Sequence, residues 1–382
     1  MKELGYHLFA ILYRIFSAFS LKDNRVFLIM THDAGPTGNL AVMRDYMKSQ
    51  KDDYIFYELR RSDTHFGKSL KKAFKFFFVD SYRLARSKYV LMDNMFLPFA
   101  FIKVKKGCKV IQLWHGTGVI KKIGFDANKG RLKELETMAN AKTSQLIVSS
   151  KTTKKIYSGS FQIPENKVYI TGMPRADVFF KGEDYIAKEQ ENFYKDYPKL
   201  RDKKLVLYAP TFRDKDAMHP KLLLDVNRLA AELPEGYILG VRLHPFVAKA
   251  FEKERGAELN KNVINLSAYP KLNTLLFSTD ILISDYSSIV FEYAVLKRPM
   301  AFYVPDLAEF SDSGRGFYHD YESYVPGPVI KTEDDLIAKI RYLSNLDNED
   351  YDKLYHRDDF IKDTYEYQDD KSSKRVYKLI TD

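Results

Sequence analysis

Ile281-Leu282-Ile283-Ser284-Asp285-Tyr286-Ser287-Ser288-Ile289-Val290-Phe291-Glu292 changes character twice over a short stretch. The leading residues form a continuous apolar run, as in strands buried on both faces of a parallel sheet. Polar residues follow, and Ile289, Val290, Phe291 and Ala294 then supply the apolar face of a helix. Strand, polar turn and helix make the repeating unit of an open α/β sheet, whose ligands bind past the carboxyl ends of the strands. Ser287 and Ser288 offer two hydroxyls at that helix start, where exposed N–H groups and the dipole favour an anion such as phosphate. The plainer reading is N-capping by Asp285 or Ser287, and the two are compatible. Glu292, one turn on, stands within reach of a ribose hydroxyl or serves as an ordinary helix acid.

The same grammar extends in both directions. Apolar runs at 26–30, 54–58, 89–92, 110–113, 146–149 and 168–170 form one strand series, and runs at 205–208, 237–241, 263–265, 281–284 and 301–304 form a second. Longer helical patterns separate them, which predicts two doubly wound, Rossmann-like α/β domains. The expected boundaries are 1–22 for an N-terminal helix, 23–180 for the first Rossmann-like domain, 181–345 for the second and 346–382 for a helical tail. A charged stretch at 181–204 holds the linker. Polar signatures sit just past strand ends: Trp114-His115-Gly116-Thr117-Gly118, Gly172-Met173-Pro174-Arg175-Ala176-Asp177, Ala209-Pro210-Thr211-Phe212-Arg213-Asp214, Arg242-Leu243-His244-Pro245 and Ser284 to Ser288. Five motifs at five strand ends predict one cleft between two domains.

The residue types in these motifs suit phosphate chemistry. Arg242 and His244 lie two apart at a strand end and are expected on one side, where they fit a pyrophosphate; a core histidine turned by Pro245 is the alternative. Arg175, after Gly-x-Pro, is a second phosphate contact or a partner for Asp177. His115 is the leading base candidate, since imidazole titrates near neutrality, and Gly116 and Gly118 permit close approach of a substrate. A structural histidine beside the one tryptophan is the competing assignment. There is no Walker-type phosphate loop, no Gly-x-Gly-x-x-Gly and no His-Glu-x-x-His. Asp214-Lys215-Asp216 has a carboxylate spacing known from metal-dependent transferases but stands alone. Arg and His suffice to neutralise phosphoryl charge, so no cofactor or metal is assigned, with Mg²⁺ an optional addition.

The 382 residues carry a net charge of +10, with 27 Tyr and 27 Phe. This balance favours anionic partners, whether lipid, nucleic acid or phosphate-rich substrate. One cysteine, Cys108, excludes an internal disulfide and any multi-cysteine zinc site. Residues 4–21 are mostly apolar, with Leu4, Leu8, Ile11, Leu12, Ile15 and Phe19 at helical spacing and Arg14 among them. That interrupted run reads as an in-plane amphipathic helix on an anionic membrane surface, and a helix packed on its own domain is the plainer alternative. A second segment, 66–88, interleaves Lys71, Lys72 and Lys75 with Phe74, Phe76, Phe77 and Phe78. A non-catalytic RNA- or membrane-binding module would share this composition, but a plain binding face needs no His, Arg and Ser clustered at strand ends. Nucleic acid is therefore not an expected partner.

In their order along the chain these motifs resemble the CDP-glycerol glycerophosphotransferase family of teichoic acid synthesis, which includes ribitol-phosphate enzymes. Trp114-His115-Gly116-Thr117 with Lys121-Lys122-Ile123-Gly124-Phe125-Asp126 is similar to its first signature. The motifs at 172–177, 209–213, 242–245 and 284–288 with Glu292 follow, then Arg298-Pro299, Gly314-Arg315-Gly316-Phe317-Tyr318 and Pro326-Gly327-Pro328. Gly118 departs from the pattern, since many members carry Pro there. The resemblance implies a two-domain glycosyltransferase-B-type fold on the cytoplasmic face of the membrane. It implies a CDP-glycerol or CDP-ribitol donor and an undecaprenyl-diphosphate-linked disaccharide or oligomer as acceptor. It points to His115 and His244 as the essential pair, with donor contacts from Trp114, Gly116, Thr117, Arg175, Pro210, Thr211, Arg242, Ser287, Ser288 and Glu292. A nucleotide-sugar glycosyltransferase of the same fold is the rival reading.

Overall fold

The computed structural model describes residues 2–211, 213, 222–244, 247–248, 251–252, 259–313 and 316–382. Phe212, Asp214-Lys215-Asp216, Pro245, Gly314 and Arg315 lie outside the described residues. The chain divides into two compact units. Unit 1 comprises Met1–Thr117, Lys122–Val178 and Thr364–Asp382; unit 2 comprises Gly118–Lys121 and Phe179–Asp363.

Unit 1 is built on six parallel strands, β1 (Lys22–Met30), β2 (Ile55–Arg60), β3 (Ser87–Met92), β4 (Lys109–Gln112), β5 (Gln145–Val148) and β6 (Val168–Ile170), in the order β2-β1-β3-β4-β5-β6. Phe27, Ile29, Val90, Met92 and Val110 form the core on one side of this sheet with Phe9, Phe76, Phe96 and Phe99. The chain reverses its direction of strand addition between β1 and β3, so the loops after those strands open a crevice at the carboxyl edge.

Unit 2 carries β7 (Lys204–Tyr208), β8 (Tyr237–Val241), β9 (Val263–Asn265), β10 (Ile281–Ser284), β11 (Met300–Tyr303) and β12 (Val329–Ile330). All pairs are parallel, in the order β12-β11-β10-β7-β8-β9. Its switch point falls between β7 and β10, where Pro210-Thr211 and Ser284 to Ser288 emerge on neighbouring strands. The stretch Ile281 to Glu292 thus lies at the topologically special position of its sheet. The two-residue β12 was not anticipated; it is too short to show a period, and it follows Pro326-Gly327-Pro328.

After residue 345 the chain does not form a separate tail. Residues 346–363 complete unit 2 and residues 364–382 return to unit 1. There the helix Ser372–Thr381 has its first turn capped from a distance by Asp177, which accepts from Ser372 N (2.9 Å), Ser373 N (2.9 Å) and Ser373 Oγ (2.7 Å). Gly172 makes this possible. Its φ is +78°, and a Cβ there would stand 2.2 Å from Ser372 Oγ.

The N-terminal helix Lys2–Phe16 packs Phe9, Ala10 and Tyr13 into unit 1 and leaves Leu4, Leu8, Ile11, Arg14 and Ile15 exposed. Both faces are therefore apolar, one buried and one bare. Beside it, the segment 70–85 runs as a helix with a π-helical middle, Lys75–Asp80. Phe9 meets Phe76 and Phe16 meets Tyr82, while Leu70, Phe74 and Phe78 stay exposed. Lys71 and Lys72 are exposed as expected. Lys75 is not a free surface cation: it binds the buried Asp80 at 2.9 Å, and Asp63 lies 3.7 Å away. No helix among the described residues is long and apolar enough to cross a membrane.

Candidate active site

In unit 1 the loops after β1, β3 and β4 converge. The His115 Nδ1 lies 2.8 Å from the backbone oxygen of Asp93. A carbonyl only accepts, so Nδ1 carries the proton and, in the neutral ring, Nε2 carries the basic lone pair. The ring is sandwiched: Trp114 lies on one side (centroids 4.0 Å, 30°) and His32 stacks on His115 at 3.4 Å and 4°. Trp114 itself has φ +57°, a strained setting for a bulky residue. Its N–H donates to Gln112 Oε1 at 2.9 Å and its carbonyl accepts from Asn39 Nδ2 at 3.0 Å. Asn39 Oδ1 in turn accepts the backbone N–H of Arg175 (3.0 Å).

Arg175 donates through Nη1 to the His115 carbonyl at 3.0 Å, with Asp33 3.8 Å away. The alternative pairing of Arg175 with Asp177 is not what forms, because Asp177 is engaged by the C-terminal helix. The Asp93 carboxylate accepts the backbone N–H groups of Thr31 (2.9 Å), His32 (3.2 Å) and Asp33 (2.9 Å). Burial raises its pKa to about 6, against the lowering pull of those donors. Desolvation also pushes His32 below its ordinary value, Asp33 opposing and Arg175 and Arg61 assisting.

In unit 2 the ends of β10, β7 and β8 lie side by side. Asp285 ties the first two together, accepting Thr211 N (2.8 and 3.0 Å) and Arg213 Nη1 (2.8 Å). Arg213 is buried between Asp285 and Asp306 and lies over the rings of Tyr286 and Phe310. Burial would raise the Asp306 carboxyl, but the bonds from Arg213 and Tyr286 hold it below its ordinary value. Ser288 is exposed and caps the next helix without a side-chain hydrogen bond, so its hydroxyl faces solvent. Ser287 Oγ is 3.4 Å from Ile289 N. The helix Ile289–Ala294 has only six residues, so its dipole adds little and any anion affinity rests on the hydroxyls and nearby N–H groups.

The profile of the CDP-Glycerol:Poly(glycerophosphate) glycerophosphotransferase family matches residues 11–382. The chain belongs to that family. Among relatives, it is 31% identical over its whole length to a teichoic acid poly(ribitol-phosphate) polymerase of Bacillus spizizenii, covering 60% of that protein. It is 34% identical over 80% of its length to a teichoic acid ribitol-phosphate primase of the same organism, covering 77% of it. A teichoic acid glycerol-phosphate primase of Bacillus subtilis is 32% identical over 68% of the chain. The chain thus spans about three fifths of the first polymerase and about three quarters of the ribitol primase. A solved structure of the wall teichoic acid polymerase TagF aligns with a TM-score of 0.78 at 20% identity, covering 98% of this chain and 93% of that one. A UDP-GlcNAc 2-epimerase from Methanocaldococcus jannaschii aligns at 0.59 and 13%.

Several family motif residues hold the frame of the site. Trp114 is buried against His115 and Phe161. Thr117 is fully buried, its carbonyl accepting Ser149 Oγ at 2.8 Å, and the Gly116 carbonyl accepts Tyr157 OH at 3.2 Å. In this structure the Trp114 and Thr117 side chains pack as supports of the His115 loop. Glu292 is buried in its helix and not extended into solvent. Arg242 is half-buried, Nη1 donating to the carbonyls of Leu266 (3.3 Å) and Tyr269 (2.8 Å), while His244 is exposed. Pro210 and Thr211 are half-exposed, and Thr211 Oγ1 is buried without a partner. Gly118 is explained by its surroundings: a Cβ would lie 2.3 Å from the Phe291 ring, which fills the space a side chain would need. His32, Asp93 and Asn39 were missed. The first two follow directly on strands that the sequence had located, so the strand-end rule applied evenly would have found them.

Proposed function

We propose that the chain transfers glycerol phosphate or ribitol phosphate from a CDP-alditol to a lipid-linked wall teichoic acid precursor, releasing CMP. The supporting observation is His115: its Nδ1–H is held by the Asp93 carbonyl, which leaves Nε2 as the basic nitrogen. Nε2 takes the proton of the acceptor hydroxyl as that oxygen bonds to the alditol-bearing phosphorus. The bridging P–O bond breaks, and its electrons leave with CMP. Unit 2, as the donor half of a glycosyltransferase-B-type pair, holds the nucleotide with Pro210, Thr211, Arg242, His244, Ser287 and Ser288; Arg175 braces the base loop.

The protein works at the cytoplasmic face of the membrane. The bare stripe Leu4, Leu8, Ile11 and Ile15, with Phe19, Leu70, Phe74 and Phe78, enters the lipid interface, and Arg14, Lys71 and Lys72 meet anionic headgroups. In the deciding assay, purified protein receives CDP-glycerol, CDP-ribitol or UDP-sugars together with a lipid-linked disaccharide. CMP release with product elongation is expected, and His115→Ala should lower turnover by ~10²–10⁴-fold with donor affinity kept. UDP release from a sugar donor without CMP release would instead establish a glycosyltransferase.

A further inference from the structure

Asp93 touches both stacked histidines, His32 and His115, by different atoms. Its backbone oxygen takes the His115 Nδ1 proton, and its carboxylate takes three successive N–H groups of the loop that carries His32. That loop is further shaped by Asp33, whose Oδ1 accepts Gly35 N at 3.0 Å. The result is a ring stack graded from inside to outside: Trp114 is buried, His115 half-buried and His32 exposed. An imidazole free to rotate about its side-chain torsions would sweep its basic nitrogen through several ångströms, whereas one clamped on both faces keeps a single plane.

We propose that Asp93 and His32 are positioning residues for this base: the Asp93 carboxylate hangs the Thr31–Asp33 loop so that the His32 ring lies flat on His115 and fixes the direction of Nε2. The inference rests on His115 being the base. The stack also has an electrostatic side. Two imidazolium rings 3.4 Å apart would repel, so the stack disfavours charge on both rings at once. The charged groups acting on His32 are Asp33, Arg61 and Arg175, with the Asp93 carboxylate behind the loop.

The test compares Asp93→Asn, His32→Ala, His32→Phe and the Asp93→Asn/His32→Ala double variant, with melting curves to establish folding. Misplacing a catalytic group by about an ångström costs ~10²-fold. Asp93→Asn and His32→Ala should therefore each lower kcat by roughly 10–100-fold, with KM for the CDP-alditol held within about twofold. The double variant should be no worse than the weaker single, because both changes release one ring. His32→Phe, which keeps a flat ring, should retain most of the activity. The acid limb of the kcat/KM profile should lose one ionisation in Asp93→Asn. Imidazole ¹⁵N spectra of the substrate-free protein supply a readout independent of turnover: the His115 signals should broaden in Asp93→Asn and His32→Ala but not in His32→Phe. Wild-type kcat in Asp93→Asn, additive losses in the double variant, or equal damage from Phe and Ala at position 32 would overturn the proposal. If instead His115→Ala is active, the base assignment fails, which the His115 variant reports on its own.

Discussion

At the scale of single residues, Asp93 is held in a form that its surroundings disfavour. Its folded pKa, about 6, lies above the ordinary 3.8. A raised carboxyl contributes stability that is fully present below 3.8 and lost as pH rises through 6. The gap corresponds to roughly 3 kcal/mol. His32, with its lowered value, acts in the opposite sense, losing stability as pH falls. Comparing wild type with Asp93→Asn isolates the carboxyl. Urea denaturation should show the difference moving in favour of wild type as pH drops from 7 towards 4.5, and a flat difference would mean that Asp93 titrates normally. His115, Arg175, Arg242 and the serine pair were legible because each sits in a short motif at a strand end. The His32–His115 stack was not, since residues 32, 93 and 115 share no period or spacing and meet only once β1, β3 and β4 are ordered in the sheet. The carbonyl that orients His115 is invisible in any sequence, because every residue carries one.

Elements were easier to read than contacts. The strands at 168–170, 237–241, 263–265 and 281–284 occur as anticipated, since continuous apolar runs bounded by polar residues have few alternatives in an α/β chain. The N-terminal helix shows why periodicity alone was ambiguous. Phe9 and Tyr13 face the core, whereas Leu8 and Ile11 face out, so the packed-helix reading and the bare apolar stripe hold together. Deleting residues 1–22 would strip the core of Phe9 and Tyr13, and surface charges are the cleaner probe. Leu8→Asp with Ile11→Asp should release the protein from anionic liposomes in sedimentation while melting changes by less than about 1 kcal/mol, as exposed substitutions do. Full sedimentation of the variant would remove this stripe as the anchor. The Gly118 turn offers a second test. Gly118→Ala forces its methyl into the Phe291 ring, and overpacking of that kind costs ~1–3 kcal/mol. Phe291→Val should restore part of the loss by clearing the space. Equal stability of Gly118→Ala and wild type would show that the ring moves aside freely.

For the molecule as a whole, two strand series forming two α/β units followed from alternating strand and helix patterns, but the path of the chain between the units did not. Composition marks no boundary at residue 363, and the tie that holds the first turn of the last helix is one carboxylate, Asp177, near the end of unit 1's central segment. Asp177→Ala leaves buried N–H groups without an acceptor and should destabilise the helix Ser372–Thr381 by roughly 2–4 kcal/mol. Limited trypsin digestion should then cut at Lys374, Arg375 or Lys378 in the variant well before wild type; identical digestion would show that Lys109 and Gln145, which bond the Ile380 and Leu379 carbonyls, suffice to hold the helix.

That returning helix also sets a schedule for the newborn chain. Asp177 in unit 1 waits for donors on Ser372 and Ser373, which are encoded after the whole of the main segment of unit 2. Everything from Phe179 to Asp363 must be synthesised in between, which at ~5–20 residues per second takes roughly 10–40 s. For that interval the half carrying His115 exists without its last helix, so the earlier-made half is the later one to be finished, and the candidate base acquires its complete support only after unit 2 has been translated in full.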